Sequence, residues 1–272
     1  MSVKHWTLDD IPWHRFDPSK INPDIINVIK AASVVEANGK DYGLYLCNVF
    51  HDDPEFQDVA KKWAIEEVQH GEALAKWAHM ADPDFIFDQS FDKFIKGYQI
   101  PVTQTQSVRG SRCGELVARC IVETGTSSYY TALMESTEEP VLKEICRRIA
   151  ADELRHYKLF YSYLNKYLEK ERIGTLKRLS IALTRIFESE DDELAYAYYA
   201  TNEKNNAIYQ RAYYTEAYAK RAYSFYQTHH IDKVMAMVFK AIGLKPYGWI
   251  YKICKPIAHT LFHYRSWKAA RS

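Results

Sequence analysis

The chain has 272 residues, 47% of them hydrophobic and 26% charged, enough to bury one substantial core, and no compositional break marks a second class of domain. Its 36 Lys and Arg against 35 Asp and Glu leave a formal net charge of +1, which excludes the overall basic character of a nucleic-acid-binding protein; any basic surface must be local. Five scattered cysteines without a C-x-x-C pair exclude a cysteine-built metal site and fit a reducing compartment better than a disulfide framework.

The amino-terminal stretch, MSVKHWTLDDIPWHRFD, carries charge where a signal peptide needs an apolar run. No later run reaches the ~18 apolar residues of a membrane span, so a cytoplasmic protein is expected. Residues 1–22 read as an extension. Beyond them glycine and proline cluster between long segments of helical periodicity, and strand-like alternation is scarce, so the predicted fold is all-α. A first helix starts at Asn22-Pro23-Asp24 and runs to about Phe50. A second starts at Asp53-Pro54-Glu55, where an N-cap acid and a first-turn proline are favourable, and ends near Asp82-Pro83. Residues 83 to about 107 read as a long connection, followed by a third helix to Ser136. A fourth begins at Glu139-Pro140 and stops before Gly174. Residues from Thr175 to about Ser189 and from Asp191 to about His229 read as further helices, and the stretch from Ile231 as less regular.

Two short loops and one long connection are what an up-down pair, a crossover and a second up-down pair require, the ferritin-like arrangement of a four-helix bundle over residues 23–172. Residues 173–272 add helices with a basic amphipathic end. Metal centres inside such bundles use a Glu from each of two helices and a Glu-x-x-His from each of the other two. The sequence has two such motifs, Glu67-x-x-His70 and Glu153-x-x-His156, each placing carboxylate and imidazole on one helix face. With 19 Glu and 10 His, chance alone supplies about 0.7 of them.

Hairpin depth is more selective. Glu36 lies 14 residues before Phe50 and Glu67 lies 13 after Pro54. At 1.5 Å per residue both are roughly 20 Å from the turn. Glu123 lies 13 residues before Ser136 and Glu153 lies 13 after Pro140, repeating the coincidence in the second pair. Glu36 sits in Ala-Ser-Val-Val-Glu-Ala and Glu123 in Cys-Ile-Val-Glu-Thr-Gly, surroundings in which unpaired carboxylates are costly unless cations neutralise them. The expected ligands are Glu36, Glu67, His70, Glu123, Glu153 and His156. Oxygen-rich ligation with imidazole suits iron or manganese without choosing between them.

The segment from Lys62 to Gly71, KWAIEEVQHG, resembles the W-x-x-E-E-x-x-H-G of the soluble acyl-carrier-protein desaturases, and Ile149 to His156, IAADELRH, resembles their I-A-A-D-E-x-R-H. The resemblance covers about residues 25 to 170 and points to the ferritin-like carboxylate-bridged di-iron superfamily. It implies that two iron ions, or a manganese–iron pair, reduce dioxygen and remove hydrogen from an unactivated C–H bond. It further implies Thr126, three residues after Glu123, as a hydroxyl beside the oxygen site, and Asp152 as the carboxylate orienting a ligand histidine. The bland alternative for Thr126 is a hydroxyl bonded back to its own helix. Implied partners are a hydrophobic or acyl-carrier-bound substrate and a ferredoxin-like electron donor. The plant-type enzymes are longer, and their amino-terminal segment and substrate-channel residues have no match here.

Nine tyrosines between Tyr196 and Tyr226 read first as amphipathic packing and, more sharply, as a chain draining oxidising equivalents from the centre. After Asp232 no acidic residue remains, while Lys233, Lys240, Lys245, Lys252, Lys255, Arg265, Lys268 and Arg271 follow among apolar residues. Residues 233–272 therefore suit a solvated basic helix, an anionic membrane interface or an acidic protein. A homodimer is compatible with the sequence, and nucleic acid is not an expected partner. The expected function is a dioxygen-dependent di-iron oxidoreductase acting on an acyl chain or similar hydrophobic substrate, by desaturation, hydroxylation or oxidative cleavage, through an apolar tunnel. Its rival is a ferroxidase or iron-handling protein.

Overall fold

A computed structural model describes residues 5–188, 192–203 and 207–271. Among the described residues the chain is all-α, as expected, without strands. Residues 5–22 form three short 3-10 turns against the outside of the bundle. Asn22 then starts α1 (Pro23–Ala37), its side chain accepting from the Asp24 amide. One residue, Asn38, separates α1 from α2 (Gly39–Val49), so the expected single helix to Phe50 is interrupted. The cause is tertiary. A Cβ on Gly39 would lie 2.5 Å from the Glu67 Cβ, and one on Gly71 would lie 2.5 Å from the Ala37 backbone nitrogen. The two helices cross backbone to backbone at this point, which only glycine permits.

Asp53 caps α3 (Pro54–Ala81) through the Phe56 amide, with Pro54 in the first turn as expected. The long connection is not structureless: it holds α4 (Phe87–Gly97), whose Phe94 is fully buried. Ser111 caps α5 (Arg112–Ser136), which starts a few residues later than expected. Glu139 caps α6 (Pro140–Glu171) by accepting from the Val141 and Leu142 amides. Then come α7 (Thr175–Glu188), α8 (Asp192–Asn202), α9 (Arg211–Ser224), α10 (Thr228–Ala241) and α11 (Trp249–Arg271). The expected boundaries Ser189 and Asp191 lie outside the described residues. The span expected to continue to about His229 is divided between α8, α9 and the start of α10, and the stretch expected to be irregular holds α10 and α11. No described helix is long and apolar enough to cross a membrane.

α1 and α2 pack antiparallel on α3, α5 packs on α6, and α3 meets α6 to join the hairpins. The bundle core is layered. One apolar cluster takes Tyr45 to Val49, Phe56 to Ala64, Cys113 to Ile121 and Tyr157 to Leu164; a second takes Ile25 to Ala32, Ala73 to Ala78, Tyr129 to Leu133 and Val141 to Ile149. In all four helical columns of the bundle the residues between these clusters are the ones carrying Glu36, Glu67, His70, Glu123, Glu153 and His156. A polar layer is thus sealed above and below by close-packed side chains, which keep water from screening it.

Candidate metal centre

The six expected ligands converge. All are buried, with relative exposures from 0% for His70 to 8% for Glu67. Their donor atoms form two groups, Glu36, Glu67, His70 and Glu153 in one and Glu67, Glu123, Glu153 and His156 in the other, each within 4.8 Å. Glu67 and Glu153, the acids of the two Glu-x-x-His motifs, belong to both groups. Each group therefore has its own Glu and His and shares two carboxylates, so the residues could hold two cations side by side.

Both imidazoles turn Nδ1 inward. His70 Nδ1 lies 3.2 Å from Glu153 Oε1 and 3.8 Å from Glu36 Oε2; His156 Nδ1 lies 2.9 Å from Glu67 Oε1 and 3.5 Å from Glu123 Oε2. His70 Nδ1, His156 Nδ1, Glu67 Oε1, Glu123 Oε2 and Glu153 Oε1 are buried without a hydrogen-bond partner. Orphaned polar atoms are rare in folded interiors. Five of them aimed at one another, all oxygen or imidazole nitrogen, fit divalent iron or manganese.

Each Nε2 turns outward to a carboxylate. His70 Nε2 is 3.2 Å from Asp152 Oδ2, where the resemblance places an orienting acid, and His156 Nε2 is 2.7 Å from Glu66 Oε2. A proton held at Nε2 by these acceptors leaves the Nδ1 lone pair for a metal. The arrangement is pseudo-symmetric: the acid preceding each ligand Glu orients the other motif's histidine. Sequence reasoning named Asp152 and missed Glu66, although Glu66 precedes Glu67 as Asp152 precedes Glu153. Arg155 ties the two acids together, 2.9 Å from Glu66 Oε2 and 2.8 Å from Asp152 Oδ1. Burial alone would raise Glu66, but hydrogen bonds from His156 and Arg155 outweigh it and hold the carboxyl at about 2. Asp152 lies below the usual carboxylate range because His70, Arg155 and Trp6 likewise overcome its burial. Exchanging either acid for its amide, Glu66→Gln or Asp152→Asn, is expected to weaken metal binding roughly 10- to 100-fold in a chelator competition. Unchanged affinity would remove them from the site.

Three further residues gave no sequence signal. The Trp6 indole donates to Asp152 Oδ2 at 2.6 Å, with His5 Nε2 2.9 Å from the same oxygen, so the segment before the bundle closes over the His70 side. Tyr130 donates to Glu36 Oε1 at 2.5 Å. Its ring meets Tyr129 at 5.4 Å, and Tyr218, one of the tyrosine-rich run, faces Tyr129 in turn. Thr126 donates to Glu153 Oε2 at 2.7 Å and also lies within 3.3 Å of the Val122 and Glu123 carbonyls, so it has both the site contact and the helix contact open to it.

Without metal the centre retains protons. Burial, reinforced by Glu153, raises Glu67 and pushes Glu123 up to about 8, while both histidines are raised because the surrounding carboxylates outweigh burial. Groups with raised folded-state values stabilise the fold below their unfolded values, and that contribution disappears as pH climbs through the folded ones. Glu153, held low by His156 and His70 against its burial, acts oppositely but only at acid pH. Metal-free protein is therefore expected to lose melting temperature between about pH 6 and 8, while added ferrous iron stabilises it more at the upper end because the protons must leave for metal to bind. Thermal unfolding in chelator and in anaerobic iron at both pH values checks this; a metal effect that shrinks as pH rises would contradict it.

A cavity of about 50 Å³ opens beside the carboxylates, between Glu36, Glu67, Glu123 and Thr126 on one side and Tyr42, Arg119, Arg185 and Glu193 on the other. Val35, Trp63 and Val122 line it as well, so charged and apolar groups share its wall. A separate trio, Glu135, His229 and His230, also falls within ligand distance. There the Gln227 amide donates to His230 Nδ1 at 2.9 Å, which places the His230 proton on Nε2, 3.1 Å from Glu135. Glu135 thus faces both imidazoles, His229 Nε2 at 3.0 Å and His230 Nε2 at 3.1 Å.

Comparison with curated proteins gives no match. A family model, described as fatty acid desaturase, matches residues 48–220, well over half the chain. The match takes in Glu66, Glu67, His70, Glu123, Thr126, Asp152, Glu153 and His156, leaving Glu36 and Trp6 outside it. With acyl-chain oxidoreductases as the family's members and a buried Glu/His layer able to hold metal at its centre, the chain belongs to the fatty acid desaturase family.

Proposed function

We propose that this protein is a dioxygen-dependent di-iron oxidoreductase that desaturates an acyl chain. The supporting observation is the pair of donor groups that share Glu67 and Glu153, in a chain of the fatty acid desaturase family. Glu36 and His70 complete one metal position, Glu123 and His156 the other. The bound pair supplies dioxygen reduction. The balance is an acyl –CH2–CH2– plus O2, two electrons and two protons, giving –CH=CH– and two waters. The protein contributes position and exclusion of bulk water.

Thr126 sits where its hydroxyl can hold a proton beside Glu153 and the cavity. That cavity has room for a water or a dioxygen but not for an acyl chain. The two electrons come from outside, from a ferredoxin-like donor, and the hydrogen-bonded line Trp6, Asp152, His70 leads from the outer face of the bundle to one metal position.

The test is aerobic turnover of iron-reconstituted protein with a reductant and acyl thioesters of graded length, products read by mass spectrometry. Loss of two mass units from the acyl group supports the proposal. A gain of sixteen would make it a hydroxylase. Oxidation and retention of iron in large excess over protein, with no acyl product, would make it a ferroxidase.

A further inference from the structure

α11 is apolar on two faces. Its inner face carries Tyr251, Cys254 and Ala258 against Met235 and Phe239 of α10, and the helix also packs on α9. That face is satisfied. Its outer face carries Trp249, Ile253, Ile257, Leu261, Tyr264 and Trp267, each half or more exposed. They are spaced three or four apart on a helix turning about 100° per residue, so they form one stripe roughly 120° wide along the whole helix. A stripe of this length is not the scatter of single exposed apolar residues normal on a protein surface. It extends sideways as well: Phe187 of α7, 59% exposed, lies 5.4 Å from the Arg265 guanidinium.

The charge beside the stripe selects its occupant. Lys252, Lys268 and Arg271 are exposed along it, Lys245 precedes it, and α11 contains no acidic residue. A second copy docked helix to helix would oppose basic residue to basic residue. An acidic protein would be met mainly by indole and aliphatic surface, with cations only at the edges. An anionic lipid surface matches both parts: cations pair with headgroups while the apolar side chains sink to the acyl boundary. Tryptophan and tyrosine at both ends of the stripe suit that depth because each ring is apolar with one polar atom.

We propose that the outer face of α11, with Phe187 beside it, is a membrane-docking surface for anionic phospholipid. The inference is independent of the metal centre, since neither α11 nor Phe187 supplies a ligand. It is tested by co-sedimentation of the full chain with vesicles of phosphatidylcholine alone or of phosphatidylcholine with phosphatidylglycerol. Wild-type protein is expected to partition onto the anionic vesicles at least about tenfold better than onto the neutral ones, and less well as salt is raised. Trp249→Ser with Ile257→Ser and Trp267→Ser, all on the exposed face, is expected to lose about tenfold or more of this binding while keeping the wild-type melting temperature. Lys245→Glu with Lys252→Glu is expected to lose a similar factor by removing charge alone. No binding of wild type to either vesicle overturns the proposal, as does binding that neither variant changes. A stripe variant that converts a dimer to a monomer without any vesicle binding overturns it in favour of a second copy, and stripe-dependent capture of an acidic carrier protein without vesicle binding overturns it in favour of that partner.

Discussion

Glu153→Gln is expected to abolish binding at both metal positions, whereas Glu36→Ala is expected to weaken mainly one. Glu153 offers an oxygen to each donor group: Oε1 is 3.2 Å from His70 Nδ1, and Oε2 is 3.9 Å from His156 Nδ1. An amide presents one oxygen and no charge, so it cannot bridge two cations. Glu36 belongs to a single group, with His70. Acyl oxidation in Glu153→Gln should fall by ~10³-fold or more, in line with loss of a reaction's metal activation. In the metal-free fold the substitution has two opposed effects: it relieves the Glu153 repulsion that raises Glu67 and Glu123, and it removes the attraction between Glu153 and the two histidines. Metal analysis and melting of the chelated protein, read together, separate loss of ligand from loss of fold. Retention of two metals by Glu153→Gln would contradict the shared-carboxylate geometry.

The second large effect lies away from the centre. Glu139 is fully buried, and its carboxylate accepts four N–H groups: Asp17 and Val141 amides on Oε1 at 3.1 and 3.2 Å, the Trp77 indole and Leu142 amide on Oε2 at 2.8 and 2.7 Å. One side chain thereby caps α6, anchors α3 and ties down the amino-terminal segment. Hydrogen bonds to a charged acceptor contribute ~1.5–3 kcal/mol each, and buried donors left without one cost a similar amount, though not additively. Glu139→Ala should therefore cost ~3–5 kcal/mol, or roughly 10 °C in melting temperature for a chain of this size. Glu139→Gln should cost nearly as much, because its NH2 must face one of the two donor pairs. If both variants melt within about 2 °C of wild type, the carboxylate is not the clamp its contacts describe.

Glu139 also shows how far sequence reading reaches. The dipeptide Glu139-Pro140 marks a helix start correctly, because an acid and a first-turn proline act locally. Nothing local reveals that the acid is buried or that Asp17, 122 residues away, donates to it. The same division runs through the rest of the chain. Asn22, Asp53 and the spacing of Glu36, Glu67, Glu123 and Glu153 are legible since caps and helix rise depend on neighbours alone. The interruption at Asn38 is not, since it follows from Gly39 meeting Glu67 across the bundle. α4 is not legible either, although Phe87, Phe91 and Phe94 keep helical spacing: eleven residues between proline-containing segments are too short for periodicity to outweigh the breakers. Glu66 was within reach through the symmetry of the two motifs. Trp6 and His5 were not, being about 147 residues from the Asp152 they contact. The cavity rim is not legible for a further reason: it joins distant segments, with Arg119 of α5 over the Tyr42 ring of α2 and Arg185 of α7 beside Glu193 of α8.

If six side chains from the two hairpins hold two metal ions as one unit, both ions must bind together and couple magnetically. Anaerobic titration of metal-free protein with ferrous iron, followed by oxidation and Mössbauer spectroscopy, tests it most directly. Expected are a break at two irons per chain and, after oxidation, a magnetically coupled pair with no isolated high-spin ferric signal. A break at one iron per chain, or two irons that remain uncoupled, would contradict it.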